Sequence, residues 1–222
     1  MPEGVWAVLV AAGRGERLGG DHPKAFAPLA GLPLLAESLR RLDDCEWVDG
    51  IVVVAPPGWE EQAVLLAEEI GASKVSSCVP GGESRSGSVR IGLAEVPADA
   101  AVVLVHDAAR PIIPPEVVPR LLEALREGFD GAVPAVPVAD TVKRVQSDVV
   151  VETLQRDELV AVQTPQAFVA EVLRAAASGE GSDCASLVEA AGGRIKIVPG
   201  DERLAKVTTR ADLDRVARWL DV

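Results

Sequence analysis

An α/β fold, with a mainly parallel twisted sheet flanked by helices, is what this 222-residue sequence predicts. Three observations carry the expectation. Short apolar runs alternate with longer stretches of helical periodicity. The runs are apolar nearly throughout rather than at every second residue, as strands buried on both faces are. The first run opens straight into a glycine-rich, basic loop, and α/β sheets hold their ligands beyond the carboxyl ends of strands. One domain, 1–222, accounts for the length.

In chain order, residues 5–10 (V-W-A-V-L-V) are the first strand, and the apolar run continues to Ala12 before the loop begins at Gly13. Residues 33–42 have helical spacing, with Pro33 suited to a first turn, where its missing N–H costs nothing. Residues 51–55 are a second strand and 60–70 a second helix. Residues 84–95 read as a helix introduced by Gly81-Gly82, 101–105 as a third strand, and 115–127 as a helix with Pro115 in its first turn. A fourth strand spans 132–136, a helix 168–177, a fifth strand 195–198, and a helix with a solvated face 210–218. One region breaks the alternation. Residues 140–145 and 149–154 are β-prone on either side of Gln146-Ser147-Asp148 and read as an antiparallel hairpin, an arm spanning 138–158. A lone hairpin is not stable by itself, so a second copy of the chain is its natural packing partner.

Composition bounds the function. Hydrophobic residues make up 48% of the chain, enough for a packed core rather than disorder. No apolar run reaches the length of a membrane-spanning helix, and the N-terminus lacks the basic-then-apolar layout of a secretory signal. Cys45, Cys78 and Cys184 are odd in number and widely spaced, so they suggest reduced thiols in a cytoplasm rather than a disulfide framework or a zinc site. The formal net charge of −12 argues against nucleic acid as a partner. For a phosphate ester ligand, basic residues must instead be gathered locally.

The loop after the first strand gathers them. It holds Gly13, Gly15, Gly19 and Gly20 with Arg14 and Arg17, and closes on Pro23-Lys24. Glycine lets backbone N–H groups approach anionic oxygens without a Cβ in the way, and the cations supply charge. Two familiar templates do not fit. The dinucleotide fingerprint G-x-G-x-x-G fails because its third glycine arrives one place late, at Gly19. The P-loop fails because Lys24 follows a proline and precedes Ala25 rather than Ser or Thr. A polyphosphate site of another kind is expected.

Further motifs follow. In Gly81-Gly82-Glu83-Ser84-Arg85-Ser86-Gly87-Ser88, backbone groups freed at the glycines and the Ser88 hydroxyl are suited to a nucleobase edge. An ordinary capped helix start fits the same spacing equally well. His106-Asp107-Ala108-Ala109-Arg110 follows a buried strand: Asp107 stands in the position of a metal or ribose contact, Ala108 and Ala109 leave room, and Arg110 suits a phosphate. His106 reads as structural and His22 is unassigned; with two histidines and no clustered cysteines a transition-metal site is not expected. Thr141, Lys143, Arg156 and Thr164 add donors suited to anionic oxygen. Lys206 lies between apolar neighbours, with its ammonium directed inward or snorkelling to the surface.

Taken together, V-A-A-G-x-G-x-R-L, P-K, G-G-x-x-R-x-x-S-V, H-D-A-A-R-P, D-T-V-K, Q-T-P-Q-A-F and K-V-T occur in one order across nearly the whole chain. This set resembles the 2-C-methyl-D-erythritol 4-phosphate cytidylyltransferases of the non-mevalonate isoprenoid pathway. Single motifs are shared with other sugar nucleotidyltransferases; the full set is far more specific. The resemblance implies a Rossmann-like nucleotidyltransferase fold with a protruding arm exchanged in a homodimer. It implies CTP contacts at Ala11, Ala12, Gly13 and Lys24, and cytosine reading at Gly82 and Ser88. Asp107, Ala108 and Arg110 would lie near the ribose and sugar phosphate, and Thr141, Arg156, Thr164 and Lys206 at the methylerythritol phosphate. Arg17 and Lys24 would stabilise charge on the transferring phosphate, and Arg156 would act in the partner's active site. Mg²⁺ is the implied cofactor, with Asp107 as its candidate protein ligand. Two residues depart from the family's pattern: Cys184 stands where a second acid is usual, and Ala205 where a branched residue is usual.

The implied reaction joins CMP from CTP to a phosphate monoester and releases pyrophosphate. With a second pKa of about 6, the acceptor is largely dianionic near neutrality and requires no general base. Positioning and charge stabilisation then carry the catalysis. Two other readings keep the same nucleotide side: a ribitol 5-phosphate cytidylyltransferase, and a catalytically silent nucleotide-binding protein of the same fold.

Overall fold

The computed structural model describes residues 4–13, 22–179, 181 and 183–220. Its elements in chain order begin with β1 (Val5–Val10), a small hairpin of β2 (Pro28–Leu29) and β3 (Leu32–Pro33), α1 (Leu34–Asp43), β4 (Gly50–Ala55), α2 (Glu60–Glu69) and β5 (Val75–Pro80). There follow α3 (Arg85–Ala94), β6 (Val102–Asp107), α4 (Val117–Arg126), β7 (Gly131–Pro137), β8 (Lys143–Gln146) and β9 (Val149–Thr153). The chain continues with β10 (Val160–Val162), β11 (Gln166–Val169), α5 (Ala170–Ala176), α6 (Cys184–Ala190), β12 (Ile195–Pro199) and α7 (Arg210–Leu220).

The main sheet runs β7-β11-β6-β1-β4-β5, with β12 on the far side of β7 and β10 continuing the β11 side. β1, β4, β5 and β6 are parallel neighbours, and β12 is parallel to β7. β11 lies antiparallel between β6 and β7. Successive residues of a strand face opposite ways, and the core divides accordingly. Ala7, Leu9, Ile51, Val53 and Leu104 face one layer with Leu35, Leu39, Leu66 and Leu121 of α1, α2 and α4. Val8, Val52, Val54, Val103 and Val105 face the other, with Val89, Leu173 and Val188 of α3, α5 and α6. That both layers are apolar explains why the strands read as unbroken hydrophobic runs. α7 closes a third cluster, setting Leu213 and Val216 on Leu34, Ile112 and Val207.

The expected strands are all present, but several elements escaped the sequence reading and one was misjudged. β2 and β3 have two residues each, and β10 has three, too few to show a period. β5 (V-S-S-C-V-P) is an edge strand, so its serines need not be buried. α6 is announced by a capping box between Asp183 and Ser186. The helix expected at 168–177 begins at Ala170; Phe168 belongs to β11, fully buried and paired with Val103 and Gly131. Over so short an apolar run the two periods are indistinguishable, and pairing on both edges decides for strand.

The hairpin forms as expected. Ser147 and Asp148 both have positive φ, 45° and 66°, the two-residue turn that matches strand twist. β8 and β9 pair only with each other among the described residues, and Val145, Val149, Val150 and Val151 are each more than half exposed.

Candidate active site

The order β4-β1-β6 places the first strand between neighbours reached in opposite directions, and ligands bind at such switch points beyond the strand ends. A cleft of about 770 Å³ opens there, within the range of small-ligand sites. Ala11, Ala12 and Gly13 line it after β1, Lys24 on the turn Lys24–Phe26, Gly82 and Ser88 after β5, and Asp107, Ala108 and Lys206 at its base. Residues far apart in sequence are thus brought together in one cleft. Arg14 and Arg17 lie outside the described residues.

The two glycine loops touch. A Cβ on Gly81 would lie 2.1 Å from the Ala12 Cβ and 3.1 Å from the Ser88 hydroxyl. Gly82 N–H donates to Ser88 Oγ (3.1 Å), and that hydroxyl donates to the Ser84 carbonyl (2.9 Å). Ser84 in turn caps α3 by accepting from Gly87 N–H. The capped-helix reading of this segment is therefore correct as local structure, and the same cap shapes one wall of the cleft. Gly81→Ala is expected to force the walls apart at a cost of about 1–3 kcal/mol. It should lower Tm by about 2–12 °C, which thermal melting checks.

Asp107 is the electrostatic centre. Arg85 approaches Oδ1 through Nε (3.0 Å) and Nη2 (2.9 Å), while Lys206 Nζ sits 2.7 Å from Oδ2. Burial by itself would raise the carboxyl's pKa, but Arg85 and Lys206 outweigh it and hold the group well below the usual carboxylate range. Lys206 therefore points inward, as one of its two sequence readings had it. Arg85 is the residue the sequence reading left without a role. It occupies the first position of α3 and also reaches Cys184 Sγ at 3.9 Å. Burial pushes the Cys184 thiol up to about 11, so Arg85 faces a neutral thiol on that side.

The remaining candidates are placed differently. Arg110 does not line the cleft: Nη1 donates to the Leu204 carbonyl and Nη2 to that of Val162 (3.4 Å). Thr164 is buried at 4% exposure, and its hydroxyl accepts from Asp107 N–H (3.0 Å) and meets His106 Nδ1 (3.1 Å). Burial pushes the His106 ring down to about 4, so it is neutral near pH 7. Thr141 and Arg156 are exposed at the foot of the hairpin, where Arg156 Nη1 donates to the Ala139 carbonyl, and neither lines this cleft. Trp59, which the motifs did not single out, lines the cleft and packs against Phe26 (4.7 Å) and His22 (5.6 Å), bracing the turn that carries Lys24.

Comparisons with known proteins agree with this architecture. A family model described as 2-C-methyl-D-erythritol 4-phosphate cytidylyltransferase matches residues 5–221. The chain is 46% identical over 216 residues to the protein of that name from Saccharopolyspora erythraea, covering 94% of this chain and 96% of the relative. It is 45% identical over 220 residues to the one from Nocardia farcinica, covering 98% and 94%. Among solved structures, the Francisella tularensis 2-C-methyl-D-erythritol 4-phosphate cytidylyltransferase superposes with a TM-score of 0.83 at 28% identity, covering 98% and 99%. The Thermus thermophilus protein of the same name gives 0.78 at 31% identity, covering 97% and 98%.

Proposed function

The chain belongs to the 2-C-methyl-D-erythritol 4-phosphate cytidylyltransferase family, and on that premise we propose how its cleft does the family's work. The reaction transfers CMP from CTP to 2-C-methyl-D-erythritol 4-phosphate, in isoprenoid precursor biosynthesis. A phosphate oxygen of the acceptor bonds to the α-phosphorus, the α–β anhydride bond breaks, and pyrophosphate leaves. No proton need be removed from a dianionic acceptor. Charge is the obstacle, and the observation that carries this reading is how the cleft handles charge. Two glycine-rich walls and Lys24 surround a carboxylate already neutralised by Arg85 and Lys206.

In this reading the loops at 11–13 and 81–82 cradle the nucleotide, and Arg17 and Lys24 stabilise charge at the α-phosphate. Lys206 directs the acceptor phosphate, leaving Asp107 to Arg85. Mg²⁺ belongs to the same reading. Among the described residues no three His, Cys, Asp or Glu gather into a cage. Magnesium usually takes one or two carboxylates and completes its shell from substrate phosphates and water, a demand that Asp107 Oδ2 would fit once Lys206 turns to the acceptor. Asp107 would hold it, and its contribution is to neutralise triphosphate charge. A cytoplasmic location rests on three cysteines that form no disulfide.

The test is pyrophosphate release from CTP with each acceptor in turn. Turnover with methylerythritol phosphate, lost in EDTA and restored by Mg²⁺, is expected. Turnover with ribitol 5-phosphate alone would overturn the acceptor, and none with either would overturn the enzyme. The family match and the relatives' names favour methylerythritol phosphate.

The arm completes the proposal. Its exposed valines suit burial against a second copy, and Arg156, away from the cleft of its own chain, suits the partner's. Mixing Lys24→Ala and Arg156→Ala chains after unfolding and joint refolding should restore about a quarter of native turnover. Half the dimers are then mixed, and each has one intact site. Activity no greater than the average of the two parents would refute exchange.

A further inference from the structure

We propose that His106 and Thr164 form a buried positioning relay that fixes Asp107 and its loop for the reaction, His106 acting through Thr164 rather than on substrate. The inference deepens the reading of the site given above and rests on it.

The hydrogen bonds determine each donor. The Arg110 carbonyl, 2.9 Å from His106 Nε2, can only accept, so Nε2 carries the proton. With the proton at Nε2, Nδ1 accepts, and the Thr164 hydroxyl is its donor. The Thr164 oxygen is left to accept the Asp107 amide. Every polar atom of the ring and the hydroxyl proton are thus committed, and both residues are buried. This explains why a histidine follows four apolar residues within a buried strand, and why a hydroxyl lies under the cleft floor.

The place of the relay gives it consequence. β11 pairs with β6 only up to Gln166 opposite Val105. Beyond that point Thr164 stands in for the missing ladder partner of the Asp107 amide. On the other side the next amide, Ala108 N–H, donates to the Val10 carbonyl of β1 (3.0 Å). The backbone that carries Asp107 is therefore pinned from both edges. From the far end, His106 ties the Arg110 carbonyl back to the strand, closing the loop 106–110 across four residues. That loop also holds the Lys206 segment, through Val207 N–H to the Ala109 carbonyl (2.8 Å) and Arg110 to the Leu204 carbonyl. Both charges at the base of the cleft are set by one knot. A misplacement of about 1 Å in such groups costs on the order of 10²-fold in rate.

The test pairs isosteric and conservative variants. Thr164→Val removes the hydroxyl at constant shape and should lower kcat about 10–100-fold with KM for CTP within about 3-fold. Thr164→Ser should recover most of the loss. His106→Phe should match Thr164→Val, and the double variant should be no worse than the poorer single one, because the two act as one unit. Circular dichroism and melting establish that each variant is folded; if His106→Phe does not fold, the Thr164 pair decides. Independently of turnover, ¹⁵N NMR of the His106 ring should show the Nε2–H tautomer, and Thr164→Val should perturb it. Multiplying losses, an undiminished kcat in Thr164→Val, or an Nδ1–H ring would overturn the relay. A native chain without CTP turnover would instead sink the cytidylyl-transfer reading, while the NMR result still judges the relay.

Discussion

Lys24→Ala will turn over about 10²–10³ times more slowly than the native chain at saturating CTP and acceptor, by the scale of a lost transition-state donor. The expectation rests on where the side chain is carried. Lys24 opens a short turn whose next residue, Ala25, is buried and whose third, Phe26, packs on Trp59. Ala25 and Phe26 anchor the turn by packing, so the variant should fold. Binding of CTP should weaken less than turnover falls, because in the proposed mechanism the charge that Lys24 meets grows as the α–β bond breaks. Single-turnover measurement separates the two. Near-normal turnover would remove Lys24 from the transition state.

Asp107→Ala should lose both stability and activity, and Asp107→Asn activity above all. Removing the carboxylate leaves Arg85, 25% exposed, and Lys206, 42% exposed, turned toward one another without an anion. Breaking a fully buried pair costs about 3–5 kcal/mol; the solvent that reaches Lys206 reduces this to about 2–3 kcal/mol. In a chain of this size that lowers Tm by about 5–10 °C. Asparagine keeps the shape and an oxygen for one partner, so it should recover part of the melting temperature without recovering turnover. Native melting in Asp107→Ala would mean that the two cations find other partners, and that Asp107 is not the anchor argued here.

The glycine-rich walls of the cleft were legible because they are local. Glycines, basic residues and a strand end lie within one or two dozen residues, and each motif keeps its meaning without its neighbours. The base of the cleft was less so. Arg85 looked like a residue in a helix start, and nothing nearby marks it as the partner of Asp107, 22 positions away. Thr164 and Arg110 carried plausible donors, but a donor's direction is not written in its type. One is turned into the relay and the other onto two backbone carbonyls. The misjudged stretch at 168–177 belongs with these. Its strand half exists because β6 and β7 flank it, and that pairing lies outside the segment itself.

By itself the sequence determined the alternating α/β architecture, the hairpin and its turn, and the family. Each depends on periodicity or on residue types at short spacing, which chain-local physics fixes. Tertiary structure alone decided the clamp on Asp107, whose partner Lys206 is 99 residues distant, and the relay beneath it. Those contacts follow from strand order, above all from β11 entering antiparallel beside β6. Strand order is settled by packing between segments, and the period of any one segment carries no record of it.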